Sequence, residues 1–260
     1  MFSWDFGFGP LQDDFWRWMF LMTRIGGALL AAPLFGGVNV PYQIRVVIAG
    51  AIALLVAGWT DVQPPAPIFS AYGMLAVAGE ILVGTALGFV LQFAFAAPII
   101  AAELIGGGMG LGMAATIDPQ NGAHSPAIGQ YFTVVLTLVF FSLGCHLQWI
   151  ALVVKSYSVF PPGHTWLAPD RIWDIISYGS TLFATAVAMA LPVTLMLMLI
   201  MVMAGVLSRS APALNLFSLG LPAAIAAGFA ALLATAPMLT DRVTALSAQA
   251  ITAAAHVIGG

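Results

Sequence analysis

Three apolar runs set the limits on what this chain can fold into. Ile68–Leu104, Ile172–Leu207 and Leu214–Val257 each carry only one or two charged residues. As helices they would reach roughly 55–65 Å at about 1.5 Å per residue. The hydrocarbon core of a bilayer is only about 30 Å thick. Such helices are either broken by their internal prolines, Pro98, Pro192, Pro222 and Pro237, or stand out of the bilayer against other protein.

Three shorter runs, Phe15–Phe35, Ile44–Trp59 and Ala127–Val154, bring the expected total to six. The chain has 260 residues, 61% hydrophobic and 7% charged. A soluble domain carries about 25% charged residues and needs them to cover its surface. The sequence therefore predicts an all-α membrane protein of about six long apolar helices, packed as proline-broken hairpins. Neither a soluble domain nor an internal repeat is visible. The N-terminus MFSWDFGFGP is aromatic and acidic, without the basic start of a cleaved signal peptide. It is expected to be retained, with Trp4, Phe6, Phe8, Trp16 and Trp18 near an interface. Net charge is −3 with no basic run, which argues against nucleic acid. Arginines and lysines are too few to orient the helices by the positive-inside rule.

Charged groups inside apolar runs draw attention because they are costly there and usually face the bundle interior. Glu80 is one and Arg24 another. A structural ion pair with Arg24, or with an arginine on a partner, is the favoured reading of Glu80; a proton relay is its rival. Glu103, at the end of its run, reads as solvated or as a loop cap. Gly84 and Gly88 follow Glu80 at four-residue spacing. That pattern places them on one helix face, where small residues let another backbone come close.

Ile105–Gly122 is the centre of the chain: IGGGMGLGMAATIDPQNG. Five glycines in seven residues cost a helix about 1 kcal/mol each relative to alanine. The expectation is therefore irregular backbone held at apolar depth, which membrane proteins tolerate where it is buried or lines a cavity. Gly106, Gly107, Gly108, Met109, Gly110, Leu111, Gly112, Met113 and Ile117 are the candidate gating loop, closed by Asp118-Pro119. The glycines allow reshaping and the methionines offer adaptable thioethers. A buried connecting turn is the bland alternative.

Other chemistry finds little support. Gly110-x-Gly112-x-x-Ala115 follows a helix rather than a strand, so it does not read as a dinucleotide site. The four histidines are dispersed, and Cys145 and His146 point about 100° apart on a helix. No catalytic residue, metal site or cofactor is expected, and the chain does not read as an enzyme. The methionines at 196, 198, 201 and 203 read as core filler.

The motifs together resemble the FliR family of type III secretion export-gate proteins, over nearly the whole chain. The residues that carry the resemblance begin with Arg24, Pro33 and Val40-Pro41, then Gly79-Glu80 with Gly84 and Gly88. The glycine–methionine stretch with Asp118-Pro119, Gly144-x-His146, Ser156 and Pro161-Pro162-Gly163 follow. Arg209-Ser-Ala-Pro212-Ala-Leu-Asn215-Leu-Phe217-Ser-Leu-Gly220-Leu-Pro222 is the most specific string. The chain departs from the family in having no phenylalanine before Asp118, Ala213 for a usual glutamine and Cys145 for a common glycine.

The resemblance implies a structural, channel-forming subunit of the flagellar export gate in the bacterial inner membrane, passing unfolded flagellar proteins and helping to keep the channel closed at rest. It implies tilted helical hairpins, a FliP-like part over residues 1–170 and a FliQ-like hairpin over 171–260. FliP-like and FliQ-like membrane proteins, an FlhB-like switch protein, unfolded export substrates and the lipid bilayer are the implied partners. Arg24, Glu80, Asp118, His146, Arg209 and Asn215 are the implied buried polar or structural residues. An injectisome gate subunit is the near alternative. A secondary transporter is the more distant one, and the inverted repeats it would need are not seen.

Overall fold

The computed structural model describes residues 10–37, 40–60, 62, 69–111, 126–162, 168–210 and 220–259. Among the described residues there are eight helices and no strand. They are α1 (Pro10–Ala31), α2 (Pro33–Gly36), α3 (Tyr42–Trp59), α4 (Ala71–Gly108), α5 (Pro126–Ser142), α6 (Cys145–Val159), α7 (Pro169–Ser210) and α8 (Leu221–Val257). The fold is that of an all-α membrane protein. α3, α4, residues Pro169–Leu207 of α7 and α8 are each long and apolar enough to cross a membrane, and α5 with α6 makes a fifth span if counted together. α1, expected as the first span, carries Asp13, Asp14, Arg17 and Arg24 and is not among them.

The breaks fall elsewhere than the prolines suggest. α4, α7 and α8 run through Pro98, Pro192 and Pro237 without interruption. The run expected as one helix over Ala127–Val154 is instead two, bent by 69°. The bend sits at Gly144, whose φ of 68° is the left-handed conformation that glycine adopts without a Cβ clash. Proline and aspartate open α7, and Arg209 lies in its last turn, an arrangement that suits the helix dipole.

The chain packs as two compact units. The first contains residues 1–92, 144–178 and 250–260. Here α1 and α4 run in the same direction, with Arg24 level with Glu80–Gly84 and Ala28–Ala31 level with Gly84–Gly88. α6 runs the opposite way, because its Trp149 indole donates to the Leu87 carbonyl at 3.1 Å while Ser156 lies at Arg24. α3 returns along α1: Trp18 donates to the Gly50 carbonyl at 2.9 Å, and Arg17 to those of Ala57 and Thr60. Leu21, Ile25, Leu29, Leu87 and Trp149 fill the space between.

The second unit contains residues 93–143 and 179–249. Phe95 and Phe140 meet edge to face at 5.6 Å, joining α4 to α5. Gly179 lies on Phe93 and Gly108 on Leu197, so α7 runs parallel to this part of α4. Beyond Leu197 no residue of α7 from 198 to 207 is buried. The methionines expected as core filler are therefore largely exposed, Met198 at 64% and Met203 at 56%.

Candidate functional site

Arg24 and Glu80 are both completely buried, and they meet. The guanidinium takes the carboxylate in a two-pronged grip, Nε to Oε2 at 2.7 Å and Nη2 to Oε1 at 2.9 Å. Its Nη1 donates to the Ser156 hydroxyl at 3.1 Å, and Nη2 also donates to the Phe160 carbonyl at 2.8 Å. Phe160 caps the C-terminus of α6, so the cation sits at the negative end of that helix. The Tyr157 ring lies 4.2 Å from the guanidinium carbon, and its hydroxyl donates to the Leu21 carbonyl at 2.6 Å. A charge without water is tolerated only when its partners replace the water, and here α1, α4 and α6 all contribute.

The glycines beside the pair explain how the helices come so near. A Cβ on Gly84 would run into the Arg24 carbonyl oxygen. One on Gly88 would stand 2.5 Å from the Ala31 Cβ and 2.6 Å from the Ala28 carbonyl oxygen. Gly27 faces α4 in the same way, since a Cβ on it would stand 3.0 Å from the Ile81 carbonyl oxygen.

The glycine-rich centre differs from the loop expected there. Gly106, Gly107 and Gly108 form the last turn of α4. The helix ends in a Schellman motif: the Leu111 N–H donates to the Gly106 carbonyl and the Gly110 N–H to that of Gly107, both at 3.0 Å. Gly110, at φ 77°, is the left-handed residue this motif requires. Met109 is fully buried, with its side chain against Gly228 on α8. Its thioether is therefore committed within the chain. Leu111 is half-buried. Gly112, Met113, Ile117 and Asp118 lie outside the described residues, as does Asn215.

The remaining expected polar residues do not join Arg24 and Glu80. His146 is half-buried on α6 beside buried Cys145, and Arg209 is exposed in the last turn of α7. Among the described residues no three His, Cys, Asp or Glu come together as a metal site.

Sequence reasoning missed the helix-end roles of two arginines. Arg17 holds the last carbonyls of α3, and Arg171 donates from Nη1 to the His256 and Val257 carbonyls at 2.7 and 3.1 Å. The signal was present in principle, since helix C-termini attract cations, but the sequence does not say which end comes near. Tyr157, the aromatic shelf under Arg24, carried no signal beyond its neighbour Ser156.

The model of bacterial export proteins, family 1, matches residues 15–250. The flagellar biosynthetic protein FliR of Bacillus subtilis is 33% identical over 220 residues, covering 84% of this chain and 85% of the relative. That of Escherichia coli K12 is 28% identical over 218 residues, 84% of this chain and 83% of the relative. That of Aquifex aeolicus is 29% identical over 220 residues, covering 84% of each. The match runs from α1 through most of α8 and takes in both Arg24 and Glu80: the chain belongs to the FliR family of bacterial export proteins.

Proposed function

We propose that this chain is a structural, channel-forming subunit of the flagellar type III export gate in the inner membrane. It passes unfolded flagellar proteins, helps keep the channel closed at rest and does no catalysis of its own. FliP-like and FliQ-like proteins surround it, and an FlhB-like switch protein acts with it. The flagellar assignment rests on the relatives, whose names are flagellar.

The observation that carries the assembly reading is the length of the apolar helices. α4, with 38 residues, is about 57 Å long. To lie wholly within about 30 Å of hydrocarbon it would have to tilt by about 58°, beyond the roughly 0–40° that transmembrane helices show. Residues 198–207 of α7 are apolar with no buried face. A helix apolar all round is covered by protein or lipid, and α7 as a whole, 42 residues or about 63 Å, is longer than lipid alone can cover. Partner helices supply the rest.

In this reading the Arg24–Glu80 pair is structural. Both charges are buried, and the guanidinium is engaged by the carboxylate, a hydroxyl and a carbonyl at once.

The test is co-purification of the full chain with FliP-like and FliQ-like proteins of the same cell, together with deletion of its gene. The expected results are one stable complex, and loss of flagella with export substrates retained in the cell. A monodisperse, heat-stable monomer whose removal leaves motility intact would overturn the proposal.

A further inference from the structure

α4 carries the spacing Glu-x-x-x-Gly twice, at Glu80–Gly84 and at Glu103–Gly107. The first copy shows what the pattern grips. Arg24 of α1 lays its backbone carbonyl over Gly84 and sends its guanidinium one turn back to Glu80. That geometry follows from the direction of helical side chains, which lean toward the N-terminus of their own helix. A helix parallel to α4, with its arginine level with the glycine, delivers the charge to the carboxylate four residues earlier.

The second copy has the same face without an occupant. Glu103 is exposed and makes no ion pair or hydrogen bond among the described residues. A Cβ on Gly107 would meet nothing within 4 Å. Ile99, 39% exposed, lies one turn before Glu103 on the same face, and Leu104 beside it is 43% exposed. The carboxylate thus projects from an apolar helix whose exposed neighbours are also apolar. Where this part of α4 lies in hydrocarbon, lipid is a poor covering for it, because an ionised side chain at the bilayer centre is disfavoured by several kcal/mol. A cation set in an otherwise apolar helix meets both demands, the charge of Glu103 and the bare backbone at Gly107.

We infer that Glu103 and Gly107 form a docking face for a partner helix that runs parallel to α4. That helix carries an arginine within an apolar run, with its backbone against Gly107 and its guanidinium on Glu103. The inference rests on the reading of this chain as one subunit of a membrane assembly.

The experiment uses the full chain, tagged and purified from native membranes with its partners. Recovery of the wild-type complex tests the assembly reading itself and precedes the rest. Glu103→Lys and Gly107→Leu are then expected to lower recovered complex by about tenfold or more, and Glu103→Gln by less, as for a broken buried pair. Each arginine or lysine within the apolar helices of the co-purified partners is next replaced by glutamate in the Glu103→Arg background. One such exchange is expected to restore the complex, which also shows that the substituted chain folds. Wild-type recovery from Glu103→Lys would overturn the inference. So would the absence of any restoring exchange, or full assembly of Glu103→Gln with altered ion conductance, which would place the carboxylate on the channel.

Discussion

The carbonyl oxygen of Arg24 occupies the place where a Cβ on Gly84 would stand. The same residue whose side chain neutralises Glu80 therefore also sets the distance between α1 and α4. Charge pairing and close packing are coupled: the guanidinium reaches the carboxylate with two short bonds only because the backbones are nearly in contact.

Gly84→Ala should accordingly be far more damaging than the substitution suggests. Two helix backbones cannot yield as a flexible side chain can, and overpacking of this kind costs about 1–3 kcal/mol or more. Gly58→Ala is the control. A Cβ there meets nothing within 4 Å, and removing a glycine from a helix is worth up to about 1 kcal/mol. Thermal unfolding of the purified complex, followed by tryptophan fluorescence, should fall by several degrees for Gly84→Ala and hold or rise for Gly58→Ala. Equal behaviour of the two would show that α1 and α4 are not in this contact.

The pair itself is best tested by removing both charges. Arg24→Met or Glu80→Leu alone strands a buried charge, at a cost of about 3–5 kcal/mol. Together they leave no charge to strand, so the double variant should be more stable than either single one. If the pair is structural, the double variant should also export flagellar proteins wherever it assembles. Intact assembly with no export would favour the proton-relay reading of Glu80.

Which features were legible in the sequence follows from how local their causes are. Opposite charges in apolar runs must find partners, so Arg24 and Glu80 could be matched before their geometry was known. Gly84 and Gly88 spoke through spacing. Gly106–Gly108 misled because helix propensity is weak beside packing: Gly106 is buried, and a Cβ on Gly108 would stand 3.1 Å from the Leu197 side chain. The internal prolines misled for the same reason, as α4, α7 and α8 continue through them. Gly144 gave no warning, since one glycine in an apolar run reads as a packing residue until its φ is seen. The methionines of α7 expose a deeper limit. An apolar side chain looks the same in sequence whether it faces its own chain or something outside it.

Arg171 offers a prediction about the end of the chain. Its two bonds to the His256 and Val257 carbonyls close the last turn of α8, next to the Gly259 backbone. The residue is partly exposed, so its contribution is about 1 kcal/mol. In Arg171→Ala the N–H groups of Ile258 and Gly259, bonded to Ala255 and His256, should exchange about fivefold faster with deuterium. Unchanged exchange would mean that the C-terminal turn is held by other contacts.

Two left-handed glycines provide a matched pair of tests. Gly110 and Gly144 have φ values of 77° and 68°, and any residue with a Cβ is disfavoured there by about 1–2 kcal/mol. They differ in space. A Cβ on Gly144 meets nothing within 4 Å, whereas one on Gly110 runs into the side chain of Leu221. Gly144→Ala should therefore show only the backbone cost, and Gly144→Asn less of it, since asparagine tolerates this conformation. Gly110→Ala should add a steric cost that Leu221→Ala relieves. In a double-mutant cycle on thermal stability, Gly110→Ala with Leu221→Ala should show favourable coupling. Gly144→Ala with Leu221→Ala should be additive, since a Cβ on Gly144 meets nothing within 4 Å. Additivity in the first cycle would mean that Leu221 does not pack on the end of α4, and with it would go the Schellman-capped turn as the point where α8 is seated.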